Sequence, residues 1–291
     1  MKHYILYNPL AGNKSCESHI SELTNTLSGE CILIDMTKLS GYEEFFASIS
    51  EGDDVVILGG DGTLNRFIND IDGKLPSCPV LYFPAGTGND FLRDIEGEDG
   101  TRPFDVKKYL ENLPTVEVDG KSYRFINGVG FGIDGYCCEI GDKMRQSASD
   151  KPINYTAIAI KGLLFYFKPV KATVTVDGVE YTYKKVWIAP TMNGRYYGGG
   201  MMPTPSQDRL AEDGKVSLML FHGSGKIKTL MIFPSLFKGE HVKHAKHIAI
   251  HEGHSISVKF NRPTSLQIDG ETFLGVTEYK VSAKSREIVT V

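Results

Sequence analysis

Residues 55–67 read VVILGGDGTLNRF: an aliphatic run gives way to Gly59, Gly60, Asp61, Gly62 and Thr63, and then to apolar residues at helical spacing. Glycines remove the Cβ atoms that would keep an anion away from backbone N–H groups, and the start of a helix adds the positive end of its dipole. The chemistry this suits is phosphate binding. Asp61 complicates it, because a carboxylate among phosphate-facing amides repels the anion unless it binds a metal or holds a neighbouring loop. A nucleotide carried with Mg2+ meets the first condition. The turn is not a Walker loop, since no Gly-Lys-Ser or Gly-Lys-Thr follows. Taken alone it would also serve as a tight strand-to-helix turn. Residues 84–91 (PAGTGNDF) and 7–15 (YNPLAGNKS) repeat the theme, and one shared crevice accounts for all three better than three unrelated turns.

The elements that must position these turns can be read from periodicity. HYILYNP, CILIDMT, DVVILGG and PVLYFPAG are short apolar runs, and between them Ile20, Leu23 and Leu27, then Phe45, Phe46 and Ile49, then Leu64, Phe67, Ile68 and Ile71 recur at helical spacing. Aliphatic strands alternating with amphipathic helices predict a parallel sheet covered on both faces, with ligands gathered beyond the strands' carboxyl ends. After about Lys121 the pattern changes. Helices are expected near 136–145 and 153–167, followed by alternating β-branched stretches broken by VDGVE and IDGE turns, which describe antiparallel strands. The expected architecture is an α/β domain over 1–120, completed by 277–291, and a β-rich domain over 121–276.

The 291 residues suffice for two modest domains. A formal charge of -4 argues against a surface built to grip nucleic acid. No apolar run reaches the 18 residues of a membrane span, and residues 1–10 are too polar for a signal-peptide core. Five cysteines without CxxC spacing indicate neither a disulfide framework nor a cysteine zinc site. A soluble cytoplasmic protein is the expectation.

NPLAG, GGDGTLN and PAGTGNDFLRDI, in this order and spacing, resemble the catalytic region of the diacylglycerol kinase and sphingosine kinase superfamily, and in length the soluble bacterial lipid kinases. INGVGFGIDGYCCEI, NGRYYGGGMMPTPSQDRLAEDGKVSLMLF and LQIDGE extend the similarity along the chain. The resemblance implies a Rossmann-like, NAD-kinase-type α/β domain with a β-sandwich behind it, and transfer of the γ-phosphate of ATP to a lipid hydroxyl, diacylglycerol first among the acceptors. It implies ATP between the domains, with Asn8, Thr37, Gly59, Gly60, Asp61, Gly62, Thr63, Leu64, Asn65, Arg66 and Thr87 around it and Glu271 near the nucleotide. Asp61, Asp90 and Asp105 match aspartates that organise the catalytic Mg2+ and its loops; read by itself, Asp105 suits a helix N-cap equally well. Asp213, with the backbone carbonyls of Leu210 and Lys215, matches a structural Mg2+ site, although Asp213-Gly214 is also an ordinary hairpin turn.

The resemblance makes Asp269 the candidate general base, taking the proton from the lipid hydroxyl as it attacks the γ-phosphate. Asp177, in a second Asp-Gly dipeptide without an expected role, is its internal control. The implied partner is a lipid at the membrane surface, approached peripherally, with room for a homodimer. An NAD kinase also carries GGDGT, and a non-catalytic nucleotide or lipid sensor is the alternative outside enzymes.

His241, His244, His247, His251 and His254 crowd one segment, but no motif supports zinc there. With Lys238, Lys243 and Lys246 they would instead form a cationic surface for anionic lipid, strengthening as the histidines protonate. The apolar run 155–167 reads as core, or as a wall of the acceptor pocket. Cys137, Cys138 and Trp187 read as packing.

Overall fold

The strands and helices expected from the aliphatic runs are present in the computed structural model, which describes residues 1–9, 16–86, 88–95, 97–146 and 153–283. They form two compact units dividing after Leu113, seven residues before the boundary expected from texture. The first contains β1 (Lys2–Tyr7), α1 (Cys16–Thr26), β2 (Glu30–Asp35), α2 (Tyr42–Ala47), β3 (Asp54–Gly59), α3 (Asp61–Asp70), β4 (Val80–Pro84), α4 (Asp90–Asp94), β5 (Phe104–Asp105) and α5 (Lys107–Leu110).

Its sheet runs β2-β1-β3-β4-β5, parallel except for β5. Every residue of β3 is buried. Val56 and Leu58 pack with Ile5, Leu23 and Phe83, while Val55 and Ile57, pointing the other way, are also fully enclosed. That two-sided burial is why the strand reads as an unbroken aliphatic run. Tyr7 pairs with Asp35 and Leu58, and Gly59 with Pro84, so the carboxyl ends of four strands lie level. The strand order reverses between β1 and β3, the position at which such sheets open a crevice.

The second unit contains β6 (Thr115–Val118), β7 (Lys121–Arg124), β8 (Gly128–Gly132), α6 (Ile133–Gln146), α7 (Tyr155–Lys161), a π-helical turn (Gly162–Tyr166), β9 (Val170–Val176), β10 (Val179–Val186), β11 (Ile188–Met192), β12 (Val216–Phe221), α8 (Lys226–Ile232), two 3-10 segments (Phe233–Lys238 and Glu240–Lys243), β13 (Ile248–Gly253), β14 (Ser255–Ile268) and β15 (Glu271–Ser282). All pairings in its ten-stranded sheet are antiparallel. β14 is the branch point: residues 256–260 pair with β9, residues 266–268 pair with β8, and the register shifts between Lys259 and Leu266. A strand bent by irregular pairing can serve two arms of a sheet, which is how one strand closes a sandwich-like core. β12 shows both layers. Val216, Leu218 and Leu220 enter one buried cluster, and Met219 and Phe221 enter a second, shared with Ile158 and Leu163 of the helical cover.

One expectation is corrected. Residues 277–282 do not complete the first unit: they belong to β15, whose Lys280, Val281 and Ser282 pair with Glu117, Val116 and Thr115 of β6. Alternating polar and β-branched residues suit an antiparallel strand and leave no helical stripe for the α/β layer. Residues 284–291 lie outside the described residues.

Candidate active site

Four loops leave the level carboxyl edge of the first sheet. Asn8 follows β1, Thr37 follows β2, Gly60 follows β3 and Gly86 follows β4. The last two touch through their backbones. A Cβ on Gly86 would stand 2.6 Å from Gly60 Cα, and one on Gly60 would stand 2.9 Å from Gly86 Cα. Ala85 N–H donates to the Gly59 carbonyl at 2.9 Å, extending the β3–β4 pairing into the turns. Only glycine permits this approach. Gly62, one residue into α3, has no heavy atom within 4 Å of where a Cβ would be, so the open side of the turn is there.

Asp61 joins the two turns. Its Oδ2 accepts the Asp90 N–H at 2.9 Å and its Oδ1 accepts the Phe91 N–H at 2.9 Å, which caps α4 from a neighbouring helix. The residue before α4, Asn89, has the left-handed φ of 47° and makes no side-chain cap of its own. Of the two roles open to a carboxylate in this turn, the geometry displays the holding of a neighbouring loop. Asp61 is nevertheless not withdrawn from ligands: a Cβ on Gly88 would lie 3.5 Å from Asp61 Oδ2 and 3.9 Å from Asp90 Oδ2, so two carboxylates flank one uncrowded point. Thr63 Oγ1 and Asn89 Oδ1 are buried without a hydrogen-bond partner among the described residues. Buried polar oxygens left in this way ask for a ligand, a water or an ion. Asp61 and Asp90, two carboxylates beside one uncrowded point, fit a hydrated Mg2+ next to phosphates.

The other residues of the nucleotide set divide. Thr37 donates its hydroxyl to Asp35 at 2.6 Å and its N–H to the same oxygen at 2.9 Å, and these bonds hold the Asp35 carboxyl below its usual range. Leu64 and Asn65 are buried in α3, and Arg66 pairs with Asp70 one turn on at 3.2 Å. The Leu64 side chain is thus spent on the core. Thr87 lies outside the described residues.

Asp105 is not brought to this place. It pairs with Leu81 near the amino end of β4, three residues from Pro84, hence roughly 10 Å back from the carboxyl edge. Its Oδ1 accepts the Lys107 N–H at 2.8 Å, but the N-cap position of α5 is Val106, so Asp105 steadies the turn before the helix without capping it, and it stands apart from Asp61 and Asp90.

In the second unit Asp269 sits in a left-handed turn with φ 45°. Its Oδ2 accepts the Ile126 N–H at 2.6 Å, and its Oδ1 accepts the N–H groups of Asn127 and Gly128, each at 2.9 Å. The carboxylate is half-buried and holds the strand entry 126–128 in place. Asp177 repeats the device: φ 46°, with Oδ1 accepting Ser255 N–H at 2.8 Å and His254 N–H at 2.9 Å. The shared dipeptide thus encodes a shared clamp, and any chemistry of Asp269 is additional to it. Glu271 is exposed two residues on.

In the loop expected to hold a structural Mg2+, Asp213 is engaged by its neighbours. Asp213 Oδ2 pairs with the Lys215 ammonium at 3.0 Å and its Oδ1 accepts the Lys215 N–H, contacts that lower its pKa. The Lys215 carbonyl accepts Gln207 Nε2 at 3.0 Å, and Leu210 N–H is held by Asp208. Among the described residues no three His, Cys, Asp or Glu side chains form a metal-ready group.

The histidines do not share a surface either. His241 is fully buried with Nε2 on the Pro203 carbonyl at 2.8 Å, His251 meets Tyr183 Oη at 2.6 Å, and burial lowers the pKa of both. Cys138 is pushed up to about 12 and Cys137 higher still, mainly by burial, so both are packing thiols. Trp187 is buried with Nε1 on the Ser224 carbonyl.

Sequence reasoning missed a buried polar group around residue 126. Arg209, 4 % exposed, donates to the Ile126 carbonyl at 3.3 Å and to Asn127 Oδ1 at 3.2 Å, and Asn193 Nδ2 donates to the same carbonyl at 2.8 Å. Asp134 is enclosed beside Tyr197 Oη at 3.2 Å with Oδ1 unpartnered among the described residues, and burial raises its pKa to about 6. An aspartate set in the apolar, glycine-rich run GVGFGID was the available signal.

Comparison with known proteins agrees with this geometry. The diacylglycerol kinase catalytic domain model matches residues 2–118, and the YegS C-terminal NAD kinase beta sandwich-like domain model matches residues 127–286. A diacylglycerol kinase of Mycobacterium tuberculosis is 27 % identical over 248 residues, covering 82 % of this chain and 79 % of its own. A diacylglycerol kinase of Bacillus subtilis is 24 % identical, covering 92 % and 88 %. A crystal structure of a diacylglycerol kinase from Bacillus anthracis superposes with a TM-score of 0.59 at 16 % identity, over 98 % of this chain and 94 % of that one, and so shares the fold. With both units matched in order, the chain belongs to the bacterial diacylglycerol kinase and lipid kinase family, whose members are ATP-dependent lipid kinases.

Proposed function

We propose that the protein transfers the γ-phosphate of ATP to the hydroxyl of a lipid, with diacylglycerol as acceptor and phosphatidic acid as product. The observation that carries the reading is the joined pair of glycine turns, Gly60 against Gly86, with Asp61 and Asp90 beside Gly88. The names of the relatives favour diacylglycerol over other lipid alcohols.

In this reading Asn8, Thr37, the turn from Gly59 to Arg66 and Thr87 hold the nucleotide, helped by the positive end of α3. Glu271 is assigned to the nucleotide on the resemblance alone. Mg2+ supported by Asp61 and Asp90 would neutralise charge on the β- and γ-phosphates. Asp61 fixes the second turn, so that nucleotide contacts on both turns are set before the substrate arrives, which is where positioning lowers the barrier.

Asp269 receives the acceptor's proton. Three N–H donors already share this carboxylate and fix its orientation. Phosphoryl transfer tolerates this, because its transition state is loose and asks more for orientation than for a strong base. The lipid acceptor calls for peripheral contact with a membrane, and among the described residues no helix is long and apolar enough to cross one.

The test is transfer of labelled γ-phosphate from ATP to diacylglycerol, a sphingoid base, phosphatidylglycerol and NAD in parallel. Label in diacylglycerol is expected. Label in NAD alone would replace the lipid reading with that of a nucleotide kinase.

A further inference from the structure

The helical cover of the second unit has an outward face that folding does not use. Inward, Ile158 and Leu163 from α7 and its π-turn, and Ile232 and Leu236 from α8 and the following segment, share one buried cluster. Outward, Phe165 is 71 %, Tyr166 67 %, Ile227 75 % and Met231 70 % exposed. The two stretches are joined at the surface: Lys226 Nζ donates to the Leu164 carbonyl at 2.6 Å, which sets Phe165 and Ile227 on either side of one contact. Met231 stands one helical turn from Ile227 and shares its side of α8.

Charge distinguishes this face from scattered exposed apolar residues, which need no explanation. Residues 155–168 and 226–246 carry seven lysines and a single carboxylate, Glu240, in a chain whose net charge is -4. Lys243 already pairs with Glu240 at 3.4 Å. Large protruding apolar tips with lysines around them match the boundary between acyl chains and anionic head groups. A second copy of the chain is a poor occupant, since a two-fold contact would set the lysines of one copy against those of the other.

We propose that this face, with Phe165, Tyr166, Ile227 and Met231 at its centre, docks the protein on an anionic lipid bilayer. It rests on the lipid-kinase reading only in that the acceptor then resides in the surface being docked.

Flotation of the full chain with phosphatidylcholine vesicles, with and without phosphatidylglycerol, tests it. The wild type is expected to float with the anionic vesicles and to be released by salt. The Phe165→Ser/Ile227→Ser/Met231→Ser variant should bind at least about 100-fold more weakly, as should Lys228→Glu/Lys238→Glu/Lys246→Glu, while Val179→Ser, exposed on β10, should float as wild type. Matched thermal melts check that each variant is folded. Failure of the wild type to float, undiminished flotation of both face variants, or a dimer that these substitutions dissociate would overturn the proposal. Transfer to a short-chain acceptor dispersed as monomers is measured alongside. Flotation without transfer refutes the kinase reading and leaves docking standing; transfer without flotation does the reverse.

Discussion

At the scale of single residues, the carboxylates that sequence marks for chemistry also hold backbone. Asp269→Asn and Asp177→Asn each replace an anionic acceptor of backbone N–H groups by an amide, so urea unfolding should report a loss of about 1–3 kcal/mol for either. Only Asp269→Asn should reduce turnover, with nucleotide affinity little changed; equal turnover in both variants would return Asp269 to a purely structural role. Asp61→Ala should likewise cost about 1–3 kcal/mol by removing the carboxylate that accepts the Asp90 and Phe91 N–H groups, and should abolish transfer. Asp134 gives a pH prediction. Its folded pKa, raised to about 6 from 3.8, means that the native state binds the proton more tightly than the unfolded chain, so this group's contribution falls as pH rises from about 4 to about 6. Asp134→Asn should flatten that part of the stability profile, and an unchanged slope would assign the pH dependence elsewhere.

At the scale of elements, the site depends on two turns that need each other. Gly86→Ala would drive a methyl group to 2.6 Å from Gly60 Cα, a backbone atom that cannot yield as a side-chain tip can. The expected result is a melting temperature lowered by the equivalent of about 1–3 kcal/mol and loss of nucleotide protection; Gly62→Ala, facing open space, is the control for stability. Both turns were legible because glycine and aspartate after an aliphatic strand have few other uses. That they press together, and that Asp61 caps the helix of its neighbour, was not legible, because the contact crosses 29 residues of chain. Asp105 shows the converse. Its type and order suited the Mg2+ network, but pairing of β5 antiparallel to β4 carries it to the wrong end of the sheet.

At the scale of the whole molecule, two units with separate cores should answer differently to ligand. A nucleotide that binds the turns of the first unit at 100 times its dissociation constant should stabilise that unit by about 2.7 kcal/mol, and calorimetry should show this shift reduced in Gly86→Ala. The sequence by itself determined the two kinds of layer, the order of the strands along the chain, the glycine turns and the family, because periodicity and local turn chemistry are properties of neighbouring residues. Only the tertiary structure decided that residues 280–282 pair with β6, that Asp61 holds the start of α4, and that His241 is buried while Phe165 and Ile227 stand out together. Those outcomes rest on contacts between residues far apart in the chain, and no local pattern specifies which distant partner a side chain will meet.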